Sequence, residues 1–309
     1  MTPPTTTRRA VLRAGVAIGA APLLHLLDGA RRGGLGAHES WDDVAVGCCA
    51  RPSDAAAIAA AGGDFVELSC TRDLADAATE EELAERLLHL RALDAPPRAA
   101  NTFLPGRLRC TGPDADHDAV LAYAERTFAR ANAVGIDTIT FGSAAARTPP
   151  AGFPLDDARL QLVALLARLA EPAREHAVTL CLEPLRAEET TLVNTVAEGL
   201  RLVRAVDHPN VRLTADLYHE FAAERPASDL LEAAPFVHHV HVAEPASRRP
   251  PGSSADAPDL LPWFAALREG GFRGRVSVEA RFGDDFGSEI ASAVRSVRDT
   301  LRRAQEARR

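Results

Sequence analysis

Eight short runs rich in β-formers recur along the chain, beginning at Val44, Phe65, Arg98, Asp137, Val178, Val211, Val237 and Arg275. Helical stretches follow seven of the eight, all but the run at Val211, over 53–61, 79–93, 115–135, 156–176, 194–206, 257–270 and 287–307. Alternation of this kind demands a parallel sheet, because each crossover carries the chain back to the start of the next strand. Eight units over about 265 residues predict a single (β/α)8 TIM barrel of the α/β class, spanning residues 41–309. A doubly wound open sheet is the runner-up. Against it, the turn Cys48-Cys49-Ala50-Arg51-Pro52 after the first strand lacks the glycine fingerprint of a dinucleotide site. Thr79 and Glu82 are spaced for a capping box, Leu83, Leu87 and Leu90 share one helix face, and Pro96 and Pro97 end that helix.

In such a barrel the residues closing each strand at its C-terminal end converge on one rim. Glu183, Asp216, His241 and Glu279 hold that place in the last four units, 33, 25 and 38 residues apart. One alternation step below them stand Cys181, Thr214, His239 and Ser277, small or polar where a purely structural lumen prefers branched aliphatics. Three carboxylates and one imidazole at one rim make a site for a single divalent cation. Hard oxygen donors favour Mn²⁺ first, with Mg²⁺, Co²⁺ and Zn²⁺ left open, and four protein ligands leave room for a substrate on the cation.

Composition removes several alternatives. All 35 basic residues are arginine, so chemistry that needs a lysine is absent: Schiff-base aldolases, pyridoxal-phosphate enzymes and phosphate-loop enzymes. A net charge of −8 argues against nucleic acid as a partner. Five cysteines with no C-x-x-C spacing give neither a zinc knuckle nor a redox pair, and Cys181 reads as a small core residue.

Residues 1–40 read as an address rather than as fold. Arg8 and Arg9 precede an uncharged, weakly apolar stretch too short to span a bilayer comfortably, a pattern that resembles a twin-arginine export signal followed by a linker. The expectation is export through the twin-arginine machinery as a partner, with no stable membrane insertion.

From about residue 44 to 305 the chain resembles the sugar isomerase and epimerase branch of the xylose-isomerase-like barrels, which includes ketose 3-epimerases. The resemblance is carried by Glu183-Pro184-Leu185 with Glu189-Thr190 and Asn194-Thr195, and by Asp216-Leu217-Tyr218-His219. It continues in His241-Val242-Ala243-Glu244 with Arg248, in Ser277-Val278-Glu279, and in Asn101 to Pro105 and Phe141 to Arg147 of the first half. It implies that Glu183, Asp216, His241 and Glu279 bind the metal and that Glu183 and Glu279 are the catalytic acid and base. His219, Arg248, Glu189 and Glu67 would contact the substrate, and His239 would support the ligands rather than join them. Arg248 falls one residue farther from His241 than the family pattern, which implies an insertion. The activity implied is proton transfer beside the carbonyl of a ketose or keto-sugar through an enediolate, with a small sugar as partner and homo-oligomer formation left open. Dehydration of a keto-cyclitol or keto-sugar and a non-catalytic sugar-binding barrel are the rival readings. Zinc endonucleases of the same scaffold need an Asp-x-His after the seventh strand, where this chain has Glu244-Pro245-Ala246.

Overall fold

The computed structural model describes residues 41–307. Eight strands, β1 (Val46–Cys49), β2 (Phe65–Ser69), β3 (Pro97–Asn101), β4 (Thr138–Phe141), β5 (Thr179–Leu182), β6 (Val211–Asp216), β7 (Val237–Val242) and β8 (Arg275–Val278), pair in parallel in chain order. β8 returns to β1 with Val46 opposite Val276, so the sheet closes and leaves no edge. This is the (β/α)8 TIM barrel expected. The proposed export segment at 1–40, with Arg8 and Arg9, lies outside the described residues. No helix among the described residues is long and apolar enough to cross a membrane.

Alternation within each strand divides the barrel into two chemistries. Val46, Val66, Leu68, Ile139, Leu180, Leu182, Leu213, Val240, Val242, Val276 and Val278 join the main apolar cluster between sheet and helices. The opposite faces point into the lumen, where polar groups predominate. Thr140 and Thr214 share a hydrogen bond of 2.9 Å across it, and Arg275 Nη2 donates to Asp137 Oδ2 at 2.7 Å near the strand starts.

Two local features set the height of the rim. Leu213 pairs with Val237 and Thr214 with His239, so β7 carries one extra residue, His238, against β6. The bulge brings His239 level with Thr214 and His241 level with Asp216, both imidazoles fully buried. β5 and β8 stop at Leu182 and Val278, so Glu183 and Glu279 are the first residues beyond their strands rather than the last within them.

The helices begin where their caps say. The helix Glu80–Arg91 starts at Thr79, whose side chain accepts from Glu82 N at 3.2 Å. The expected capping box is only half formed, because the Glu82 carboxylate accepts from Ala78 N at 3.1 Å instead of from Thr79. Asp116 caps the helix His117–Val134, which ends at Gly135 with φ 93°, a conformation open to glycine and costly for other residues.

Candidate metal centre

Asp216 ends β6 and at once caps the short helix Leu217–Ala222, accepting from Tyr218 N at 2.8 Å through Oδ1. That bond turns the other oxygen inward. Oδ2 is buried and has no hydrogen-bond partner, an arrangement that costs free energy unless something positive sits against it. His219 Nε2 stands 3.3 Å away without hydrogen-bond geometry. Burial, with Arg248 and His241 nearby, pushes its imidazole down to about 4, so the ring is neutral.

The other candidates gather about Asp216. His241 Nδ1 lies 3.1 Å from Glu183 Oε1 and 3.6 Å from Glu279 Oε2. One ligand atom from each of Glu183, Asp216, His241 and Glu279 falls within 4.8 Å of the rest. Burial, then the Glu279 and Glu183 carboxylates, drives the Asp216 carboxyl well above the ordinary range. Burial is also the leading cause that raises Glu183. Carboxyls that resist ionisation this way mark a cluster short of positive charge, and a divalent cation supplies it. The donor set, the spacing and the unsatisfied Oδ2 all fit such an ion.

Glu279 is held at both oxygens. Asn101 Nδ2 donates to Oε1 at 3.1 Å, and Arg248 Nη2 donates to Oε2 at 2.9 Å. Arg248 reaches in from the loop after β7 with φ 55°, in the left-handed region, and its guanidinium lies 4.8 Å from the Tyr218 ring centre. Glu189 stands at the same mouth, 3.7 Å from Arg248 and paired to Arg186 Nε at 2.8 Å. Glu244, buried, keeps this loop folded, accepting from Ser254 N at 2.7 Å and from Ser247 Oγ at 3.0 Å. At Gly142 the backbone passes so close to Glu183 that an added Cβ would collide with Oε2.

Glu67 requires a correction. It was expected at a strand end with reach to the substrate, but it sits in the middle of β2, only 1% exposed, below His241. Its oxygens lie 2.7 Å from His239 Nε2 and 3.0 Å from His241 Nε2. Cys49 Sγ lies 4.0 Å from the same Nε2. Burial, then Glu67, raises its thiol well above the ordinary range, so it is a neutral neighbour and a poor ligand. Reading from the sequence alone gave no role to Asn101, Gly142, Arg186 or Tyr218. Asn101 was within reach, because it closes β3 as Asp216 closes β6.

Comparison with known proteins agrees with the fold. The curated D-psicose 3-epimerase of Agrobacterium fabrum is 31% identical over 179 residues, 55% of this chain and 59% of that protein. The L-ribulose 3-epimerase of a Methylomonas species is 33% identical over 133 residues, 43% of this chain and 44% of that protein. The chain thus matches less than two thirds of the length of either relative. A crystal structure of D-psicose 3-epimerase in the presence of D-fructose superposes with a TM-score of 0.69 at 22% identity, covering 85% of this chain and 98% of that one. The profile of one family covers residues 55–304, most of the barrel, and on that match the chain belongs to the xylose isomerase-like TIM barrel family.

Proposed function

We propose that this protein is a divalent-metal-dependent sugar isomerase or epimerase, with Mn²⁺ as its ion, that moves a proton beside the carbonyl of a ketose or keto-sugar. The observation that carries the reading is the convergence of Glu183, Asp216, His241 and Glu279, one ligand atom of each within 4.8 Å of the others, together with a buried and unpartnered Asp216 Oδ2. The names of the relatives, D-psicose and L-ribulose 3-epimerases, supply the reaction class.

Held by Glu183, Asp216, His241 and Glu279, a divalent cation would supply Lewis acidity at a carbonyl and its neighbouring hydroxyl, which would acidify the C–H bond beside them. The chain's residues do the rest. Glu183 and Glu279 follow β5 and β8, on either side of β6 and β7, and approach the cluster from different directions. One takes the proton from carbon. The other returns a proton, to the opposite face for epimerisation or to the adjacent carbon for aldose–ketose exchange. Asn101 and Arg248 fix the Glu279 carboxylate, while Glu189, His219 and Arg248 present polar groups to substrate hydroxyls. The Arg8-Arg9 pattern supports export as part of the same proposal, with the sugar met outside the cytoplasm.

The test is isotope exchange. Mn²⁺-loaded protein incubated with D-fructose and with D-psicose in deuterated water is expected to place deuterium on carbon 3, and stripped protein is not. A loaded protein that exchanges no carbon-bound hydrogen across a panel of ketoses and keto-sugars ends this reading, and products lighter by one water would replace it with dehydration.

A further inference from the structure

Glu67 is a buried carboxylate for which the proposed reaction has no use. It is 1% exposed, and both of its oxygens are taken by imidazoles from the far side of the lumen. Those rings, His239 and His241, are fully buried and meet edge to face with centroids 5.0 Å apart. They reach Glu67 because the bulge at His238 turns both residues inward. An ionised carboxylate can only accept, so each imidazole must present an N–H to it. For His241 that choice spends Nε2 and leaves Nδ1 on the opposite edge of the ring, where Glu183 and Glu279 wait at 3.1 and 3.6 Å.

We infer that Glu67 is a positioning residue, one carboxylate that clamps two imidazoles so that His241 Nδ1 is aimed at the cation, with His239 anchoring the second oxygen. The inference rests on the metal-dependent reading above. Two observations favour it over a ligand role for Glu67 itself. Both of its oxygens are already engaged at 2.7 and 3.0 Å, and the side chain is buried. Cys49 Sγ, at 4.0 Å from His241 Nε2, is a weak and distant partner and no substitute for it. The carboxylate–histidine–metal relay is a general device that fixes ring orientation and nitrogen choice. Here one acid serves a ligand and a second histidine together.

The experiment uses the full-length protein labelled with ¹⁵N-histidine, metal-free and loaded with Zn²⁺, together with calorimetric titration by Mn²⁺. Wild type is expected to show two hydrogen-bonded Nε2–H resonances, from His239 and His241, in both states, with the His241 Nδ1 resonance shifting on loading. Glu67→Leu fills a similar volume without an acceptor. It should lose both protected resonances and bind Mn²⁺ roughly 10- to 100-fold more weakly. Glu67→Gln, neutral but still carrying one acceptor oxygen, should recover part of that affinity. Equal losses in the two variants would reduce Glu67 to a nearby charge and overturn the clamp, as would undiminished Mn²⁺ affinity in Glu67→Leu. Should Glu67→Leu fail to fold, the wild-type spectrum still decides, since an unprotected His241 Nε2–H in Mn²⁺-binding protein contradicts the inference. A wild type that takes up no Mn²⁺ is a different failure, that of the proposed function, because the resonances are read without metal.

Discussion

At the scale of single residues, the centre is set as much by what is small as by what is charged. Gly142 leaves room for Glu183 Oε2, and Gly142→Ala forces that carboxylate away. The expected outcome is a loss of roughly tenfold or more in Mn²⁺ affinity, of the size seen when a ligand's orientation is disturbed, with little change in the melting of the metal-free protein. Calorimetry and thermal unfolding check the two halves of that statement. Glu183, Asp216, His241 and Glu279 were legible in the sequence because each combines metal-binding chemistry with the same place in a repeat. Glu67 lies within β2 rather than at its end, which was not legible because a strand's residue pattern gives the face of a side chain but not its depth in the lumen. Arg186 and Tyr218 were given no role because their contact, a hydrogen bond of 2.8 Å from Arg186 Nη1 to the Tyr218 hydroxyl, joins the loop after β5 to the helix Leu217–Ala222, which only the closed barrel brings together.

Among the elements, the joints between helices and strands carry the testable energetics. Asp116 accepts from Ala119 N at 2.9 Å at the start of the helix His117–Val134, and Asp116→Ala should cost about 1 kcal/mol in denaturant unfolding. Glu220, 2% exposed on the helix Leu217–Ala222, accepts from Val196 N at 3.2 Å and so ties that helix to the start of the helix Val196–Val206. Burial raises its carboxyl to about 7. The folded state therefore holds this proton more tightly than the unfolded chain, and stability falls as pH rises from the ordinary carboxylate range toward 7. Glu220→Gln removes the ionisation, so its stability relative to wild type should climb between pH 5 and pH 8 by up to about 3 kcal/mol, at 1.36 kcal/mol per pKa unit. A flat difference across that range would refute the assignment. β6 and β7 occupy the runs expected from Val211 and Val237, whereas Cys70–Asp73, Ala144–Arg147, Leu217–Ala222 and Asp229–Ala233 went unseen. Helices of one or two turns are too short to show a periodicity.

For the whole molecule, the order of elements was readable because alternation of strand and helix admits few closures, while the height of each rim residue depended on a bulge and on where β5 and β8 stop. Export belongs at this scale too. Replacing Arg8 and Arg9 together by lysine should retain the protein in the cytoplasmic fraction, and unchanged secretion would exclude the twin-arginine route. The four gathered candidate ligands stand in or just after the last four strands, while Glu67 and Asn101 of the first four stand against them. An ion seated there, as proposed, would tie one half of the ring to itself and leave the other half fastened chiefly by its own packing. Amide hydrogen exchange should register the asymmetry, slowing on Mn²⁺ addition through β5 to β8 much more than through β1 to β4. The barrel would then breathe by parting the half without the ion, and a molecule stripped of its cation would lose that lopsidedness.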